Sequence, residues 1–291
     1  AYEYHKQTFL RLIDTYGVEY IKTDMNGWLG FDADGTEHNR YAACFYHLIE
    51  EIRHLRPQVF MECCAAGALR NDLEALKHVD SLFVSDNVNP FEVNNTMIGG
   101  WYGALSGITH RWGVLGQLHA AVRAVALQDV RFRVITPFGG AWDEFSCVDL
   151  ESLLSANFTG GAYGFSGSLA SLSPDNLEIV ARYVRLFKEK REFLYHAAGY
   201  SLVDQKNLKV LQLSHDSNVI LLVQYNAGDQ VPQRTVRLCA LIPEATYRMN
   251  DQIYSGRELM DRGVTLPLKA NNSLQRQRAE LFFFEPIESK E

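Results

Sequence analysis

Hydrophobic positions along the first two-thirds of the chain switch repeatedly between two periods. The opening segment, AYEYHKQTFLRLIDTYG, sets Phe9, Leu10, Leu12 and Ile13 at helical spacing. VEYIKTDM follows as a strand, with Val18, Tyr20 and Ile21 as its core positions. NRYAACFYHLIEEIRHLR is amphipathic, with Ala42, Phe45, Leu48, Ile49, Ile52 and Leu55 on one side, and Pro57 stops it. QVFMECC reads as a second strand, DLEALKHV as a short helix and SLFVSDN as a third strand. Apolar strands separated by amphipathic helices predict a parallel sheet covered by helices. Between Asn94 and Phe145 the pattern is mixed, with a strand near GITHRWG, a helix over HAAVRAVALQ and an extended segment FRVITPF. GGAYGF suits a last strand of this α/β part, where Gly160 and Gly161 allow close backbone approach. SPDNLEIVARYVRLFKEKREFLY is the plainest helix: Ser173 caps it, Pro174 takes its first position and Asp175 lies in its first turn.

Beyond His196 the pattern changes. NLKVLQLSHDSNVILLVQYN is a hairpin folded at HDSN, and RTVRLCAL, ATYRMND and AELFFFEP continue as strands with few helix signals. The division expected is an α/β part over 1–196 and an antiparallel β-sandwich domain over 197–291.

Composition narrows the function classes. The 291 residues are 47% hydrophobic and 22% charged, ordinary globular proportions. The formal charge is −7 and no basic stripe stands out, which argues against nucleic acid as a partner. No apolar run approaches the roughly 20 residues of a membrane helix, so no membrane partner is expected. The five cysteines are odd in number and irregularly spaced, with neither a zinc pattern nor a disulfide framework. Free thiols suit a reducing, cytoplasmic compartment, and nothing calls for a metal or cofactor.

The candidate chemistry sits where the three early strands end. The first ends Lys22-Thr23-Asp24-Met25-Asn26, the second Glu62-Cys63-Cys64 and the third Ser85-Asp86-Asn87. A lone aspartate after a strand is ordinarily a turn residue or helix cap. Polar residues at the same end of three consecutive strands change that picture, because the C-terminal strand ends of parallel α/β barrels form active sites. Asp24 and Asp86 then make a carboxylate pair suited to glycoside cleavage. Lys22, two residues before Asp24, shares its face; it can donate to sugar hydroxyls and favours the charged carboxylate.

These segments resemble glycoside hydrolase family 36, the retaining α-galactosidases (melibiases). YIKTDMN is similar to the family's YIKWDMNR, ECCAAGALRND to its ESCSGGGGRxD, and SDNVNP to its SDNTDP, in the same order and at similar spacing. The similarity runs on through TPF and GGAYGFSGSLASLSPDNLEIVARYVRLFKEKREFL to YRMNDQIYSGRELMDRGVTLPL, nearly the whole chain. It implies a (β/α)8 TIM barrel, represented here by strands 4 to 8, followed by the β-sandwich. It also implies that a preceding β domain and three barrel strands are missing. An open half-barrel exposes a strand edge, so poor stability and low activity are expected of this chain alone.

Carried over residue by residue, the resemblance makes Asp24 the nucleophile and Asp86 the general acid and base, protonated at the first step. Retention in the usual case sets two such carboxyls about 5–5.5 Å apart. Lys22 and Asn26 become sugar-binding residues, Cys64 and Gly67 lie beside the sugar 2-position, and Arg70 either contacts ligand or pairs with Asp72. The sequence departs from the family at Thr23 (usually Trp), at Gly27 (often Arg), at Ala65, Ala66, Ala68 and Leu69 in the glycine run, and at Asn89 (usually Asp). Both carboxylates remain, so the substitutions bear on the substrate rather than the chemistry. The expected substrate is an α-galactoside oligosaccharide, and the family's common homo-oligomers extend to this chain as an expectation. The alternatives are an α-N-acetylgalactosaminidase or raffinose-type galactosyl transferase, then a family 31-like α-glucosidase, then an inactive carbohydrate-binding homologue. Gly27, where family 31 carries Glu after DMN, speaks against the α-glucosidase.

Overall fold

The computed structural model describes residues 1–24, 30–64, 74–82, 91, 147–158, 172–226, 234–269 and 277–287. Two compact units divide the chain, Ala1–Asp86 and Asn87–Glu291. The elements expected near 107–113, 119–128, 132–138 and 160–165 lie outside the described residues.

The first unit is built from helices α1 (Tyr2–Tyr16), α2 (Thr36–Leu55) and α3 (Ala75–His78) and strands β1 (Tyr20–Thr23), β2 (Phe60–Cys63) and β3 (Ser81–Leu82). The strands form a parallel sheet in the order β1-β2-β3, the arrangement the alternation predicts. Gly17 ends α1 in the left-handed region, φ 63°, and its N–H bonds to the Ile13 carbonyl. Among the four apolar positions of α1, Ile13 alone is buried. Helix α2 starts three residues ahead of expectation, because Asp34 and Asp32 accept the backbone N–H groups of Thr36 and His38 and so satisfy the helix start. Its Leu48, Ile49 and Ile52 are buried as the periodicity requires, joined by Tyr46, whereas Leu55 is open to solvent.

Polar clamps fix these pieces. Arg56 grips the Asp14 carboxylate through two nitrogens, at 2.6 and 2.7 Å, and Glu51 accepts from Tyr2 and Lys6, so both ends of α1 are tied to the C-terminal end of α2. Arg53 donates to the His78 carbonyl and to Asp80, whose other oxygen accepts the Met61 N–H at 2.8 Å. That carboxylate therefore links α2 to the start of β3 and to β2.

The second unit carries α4 (Cys147–Asn157) and α5 (Pro174–His196), then β4 (Ala198–Gln205), β5 (Leu208–His215), β6 (Asn218–Asn226), β7 (Arg234–Val236), β8 (Thr246–Met249), β9 (Gln252–Ser255), α6 (Gly256–Asp261), β10 (Val264–Leu266) and β11 (Gln277–Pro286). Six strands make one antiparallel sheet, β4-β5-β6-β11-β8-β9, and β7 pairs with β10. Ser173 caps α5 as expected, its hydroxyl accepting from the Asn176 N–H. The HDSN turn is also where the sequence places it, with Asp216 and Ser217 both at positive φ, 45° and 62°, the backbone of a two-residue hairpin turn.

Strand β6 is buried along almost its whole length, since both faces are covered. On one face Val219, Leu221, Val223 and Tyr225 join Phe282 and Phe284 in a cluster completed by Leu238, Leu259, Val264 and Leu266. On the other, Ser152 of α4 accepts the Ala279 N–H, and the Phe158 ring meets Phe283 edge-on at 6.3 Å. The Tyr225 hydroxyl has its one proton within reach of the Glu280 carboxylate and the Lys269 carbonyl, and burial pushes its phenol above the ordinary range. Helices α4 and α6 and strands β4, β9 and β10 had no assigned pattern in the sequence. Helix α4 is nearly as apolar on all sides as a core element, which erases the one-sided stripe that periodicity detects.

Candidate functional site

The parallel pairing decides what is brought together at the C-terminal ends of β1 and β2. The register runs Tyr20↔Phe60, Ile21↔Met61, Lys22↔Glu62 and Thr23↔Cys63. The ladder continues for one more bond, from the Cys64 N–H to the Thr23 carbonyl at 2.8 Å. Asp24 and Cys64 therefore leave their strands side by side, about one strand spacing of 4.8 Å apart. Thr23, which stands where the resembling family has Trp, bonds through its hydroxyl to the Glu62 carbonyl at 3.1 Å. The side chain at this position thus ties β1 to β2.

The two faces of β1 differ. Ile21 and Thr23 are partly covered, while Tyr20, Lys22 and Asp24 are open. VEYIKTDM is accordingly not a buried core strand throughout: its Tyr20 face is the accessible one, the face that carries Lys22 toward Asp24. Across the sheet, Phe60, Glu62 and Cys64 follow the same alternation. Tyr20 and Phe60 stack at 5.5 Å with planes 9° apart. Glu62 is buried, accepts the Tyr20 hydroxyl at 2.6 Å and faces the Lys22 ammonium at 3.7 Å. Cys63 and Cys64 are both buried, without a disulfide.

Of the residues singled out in the sequence, Lys22, Asp24 and Cys64 gather at this strand end. Asn26, Gly67, Arg70, Asp72 and Asp86 lie outside the described residues. Glu62 and Tyr20 were not selected as site residues. The signal was legible nonetheless: a carboxylate inside the apolar run VFMECC must find a donor when buried, and Tyr20 lies two positions before Lys22. Among the described residues no group of three His, Cys, Asp or Glu side chains is placed to hold a metal ion. No helix among them is long and apolar enough to cross a membrane.

The first unit thus carries a lysine and a carboxylate at the C-terminal end of a parallel strand, and the second is built on an antiparallel sheet. Residues 1–102 match the family described as Melibiase, and residues 210–284 match the glycosyl hydrolase family 36 C-terminal domain. The chain belongs to this family of glycoside hydrolase family 36 α-galactosidases. It is 22% identical to α-galactosidase Mel36A of Lactobacillus acidophilus over 97% of its own length and 36% of that protein. An Escherichia coli α-galactosidase is 35% identical over 32% of this chain and 13% of the relative. In fold it matches α-galactosidase AgaB of Geobacillus stearothermophilus with a TM-score of 0.74 at 18% identity, over 98% of this chain and 38% of that one. An AgaA variant from the same organism, solved in complex with stachyose, also gives 0.74 at 18%, over 98% of this chain and 38% of that one. The chain thus spans a little over a third of the length of the relatives it matches end to end.

Proposed function

We propose that this chain supplies the nucleophile side of a retaining α-galactosidase, with residues 1–196 forming strands 4 to 8 of a (β/α)8 barrel and 197–291 a β-sandwich domain. The observation that carries this reading is the common exit of Asp24 and Cys64 from paired parallel strands, with Lys22 on the accessible face below Asp24. Active sites of such barrels lie at that end of the sheet.

In the first step an Asp24 oxygen attacks the anomeric carbon as the bond from that carbon to the leaving oxygen breaks. Asp86 gives its proton to the departing oxygen, so the aglycone leaves as a neutral alcohol. In the second step Asp86, now a carboxylate, removes a proton from water, and the water oxygen attacks the anomeric carbon. The ester to Asp24 breaks, releasing galactose with its α configuration retained. Lys22 donates to sugar hydroxyls and keeps positive charge near the nucleophile. Cys64, Gly67, Asn26 and Arg70 complete the sugar site. The AgaA variant's complex with stachyose, an α-galactoside, supports oligosaccharides of that class as substrates.

Proton NMR of the protein as its gene encodes it, turning over p-nitrophenyl α-galactoside, tests this. α-Galactose is the first product expected, with turnover reduced more than about 10³-fold in Asp24→Asn. β-Galactose as first product, or full activity in that variant, would overturn it.

A further inference from the structure

Glu62 has no role in the two-step reaction, yet it is 1% exposed on the central strand of the first unit's sheet. A buried carboxylate is tolerated only when its charge is paired and its oxygens are bonded. Here one oxygen accepts the Tyr20 hydroxyl at 2.6 Å, and the other lies 3.7 Å from the Lys22 ammonium. Tyr20 is itself held flat against Phe60. Thr23 fixes the Glu62 main chain by bonding to its carbonyl oxygen. Carboxylate and ammonium stand directly across the β1–β2 register from each other.

We infer that Glu62 is a positioning residue that, locked by Tyr20, anchors the Lys22 ammonium on the face of β1 leading to Asp24. Asp24 lies two residues beyond Lys22, about 6.6 Å farther along a parallel strand. Glu62 is therefore a level below the reacting atoms, and its burial keeps it from substrate. A free lysine side chain has four rotatable bonds and spreads over many rotamers; a partly exposed lysine gripping a sugar hydroxyl would lose that freedom on binding. An anion beneath it sets the rotamer beforehand, and the Tyr20 bond stops that anion from following the ammonium outward. The inference rests on the galactosidase reading only for its catalytic consequence; the anchor stands on the geometry.

The test is trace acylation with acetic anhydride on the protein as its gene encodes it, with peptide mass spectrometry comparing Lys22 with the exposed Lys77. The Lys22 side chain is 31% exposed, enough for the reagent to reach it. An amine held down against Glu62 meets the reagent less often than one free to swing through its rotamers, so Glu62→Gln raises Lys22 acylation several-fold relative to Lys77, and Tyr20→Phe raises it less. A purely structural Glu62 would shift the melting temperature without changing that ratio, and an unchanged ratio in folded Glu62→Gln overturns the inference. Should Glu62→Gln fail to fold, Tyr20→Phe decides: a raised ratio supports the anchor and an unchanged one overturns it. Absence of α-galactoside turnover in the unaltered protein defeats the Asp24 reading without touching this ratio, so the two failures are distinguishable.

Discussion

The two units stabilise their sheets in different ways. In Ala1–Asp86 the strands are short and parallel, one face carries polar groups, and carboxylate–guanidinium clamps tie the helices together. In Asn87–Glu291 the sheet is antiparallel, its central strand is buried on both faces, and the apolar cluster reaches from Leu208 to Phe284. The polar strand end offers Lys22 and Asp24 to solvent, at a cost in burial that the clamps and α2 partly offset. Chemistry is therefore expected in the first unit, and most of the hydrophobic stabilisation in the second.

Core truncation tests that contrast most severely. Phe284 is fully buried, so Phe284→Ala should cost about 3–5 kcal/mol in urea titration of the second unit. Lys77→Ala, at an exposed ion pair with Glu74, should leave the first unit's transition nearly unmoved; equal losses would erase the distinction. Next in size is Gly256→Ala, where an added Cβ would stand 2.0 Å from the Ile242 carbonyl oxygen. Main chain must shift to admit it, and about 1–3 kcal/mol of destabilisation is expected in the same titration. Ser173→Ala removes the cap of α5 and should cost about 1 kcal/mol, read from the thermal midpoint.

The smallest effect is in pH dependence, where acid should reach the first unit before the second. Arg56 lowers the Asp14 carboxyl, and bonds from Tyr2 and Lys6 lower Glu51. Groups lowered on folding contribute stability above their unfolded value, about 4, and lose it as pH falls through the lower folded values. The α1–α2 pairing should thus loosen in acid, below about pH 4. In the second unit burial raises the Tyr225 and Tyr183 phenols, and it pushes the Cys239 thiol up to about 11. Groups raised on folding stabilise below their unfolded values and lose that contribution as pH rises. The second unit should therefore weaken from about pH 9 upward. The Tyr2 phenol of the first unit is raised too, by burial and its bond to Glu51, so the acid side separates the units: hydrogen exchange resolved by peptide from about pH 3 to 7 would show it, and loss of both units at the same acid pH would contradict it.

Much of the architecture could be read from periodicity. Helix α2, the three parallel strands, the Ser173-capped α5 and the hairpin at Asp216–Ser217 each have a one-sided stripe, a cap or a turn signal. Helix α4 carries apolar residues all round and gives no stripe. Helix α6 spans six residues, too few for a period to register, although Ser255 and Glu258 at its start form a cap signal. The site was legible at Lys22, Asp24 and Cys64 because strand alternation and ordered motifs coincide there. Glu62 escaped selection because its meaning depends on a neighbour 40 positions back, Lys22, and only the strand register discloses that pairing.

The central claim, that Asp24 is the nucleophile of a retaining glycosidase, is most directly tested by trapping. The protein as its gene encodes it would be inactivated with a mechanism-based fluorinated α-galactoside, digested, and mapped by mass spectrometry. One fluorogalactosyl group on the VEYIKTDMNGW segment, assigned by fragmentation to Asp24, is the predicted result. A label on another carboxylate in protein that turns over α-galactosides would contradict it.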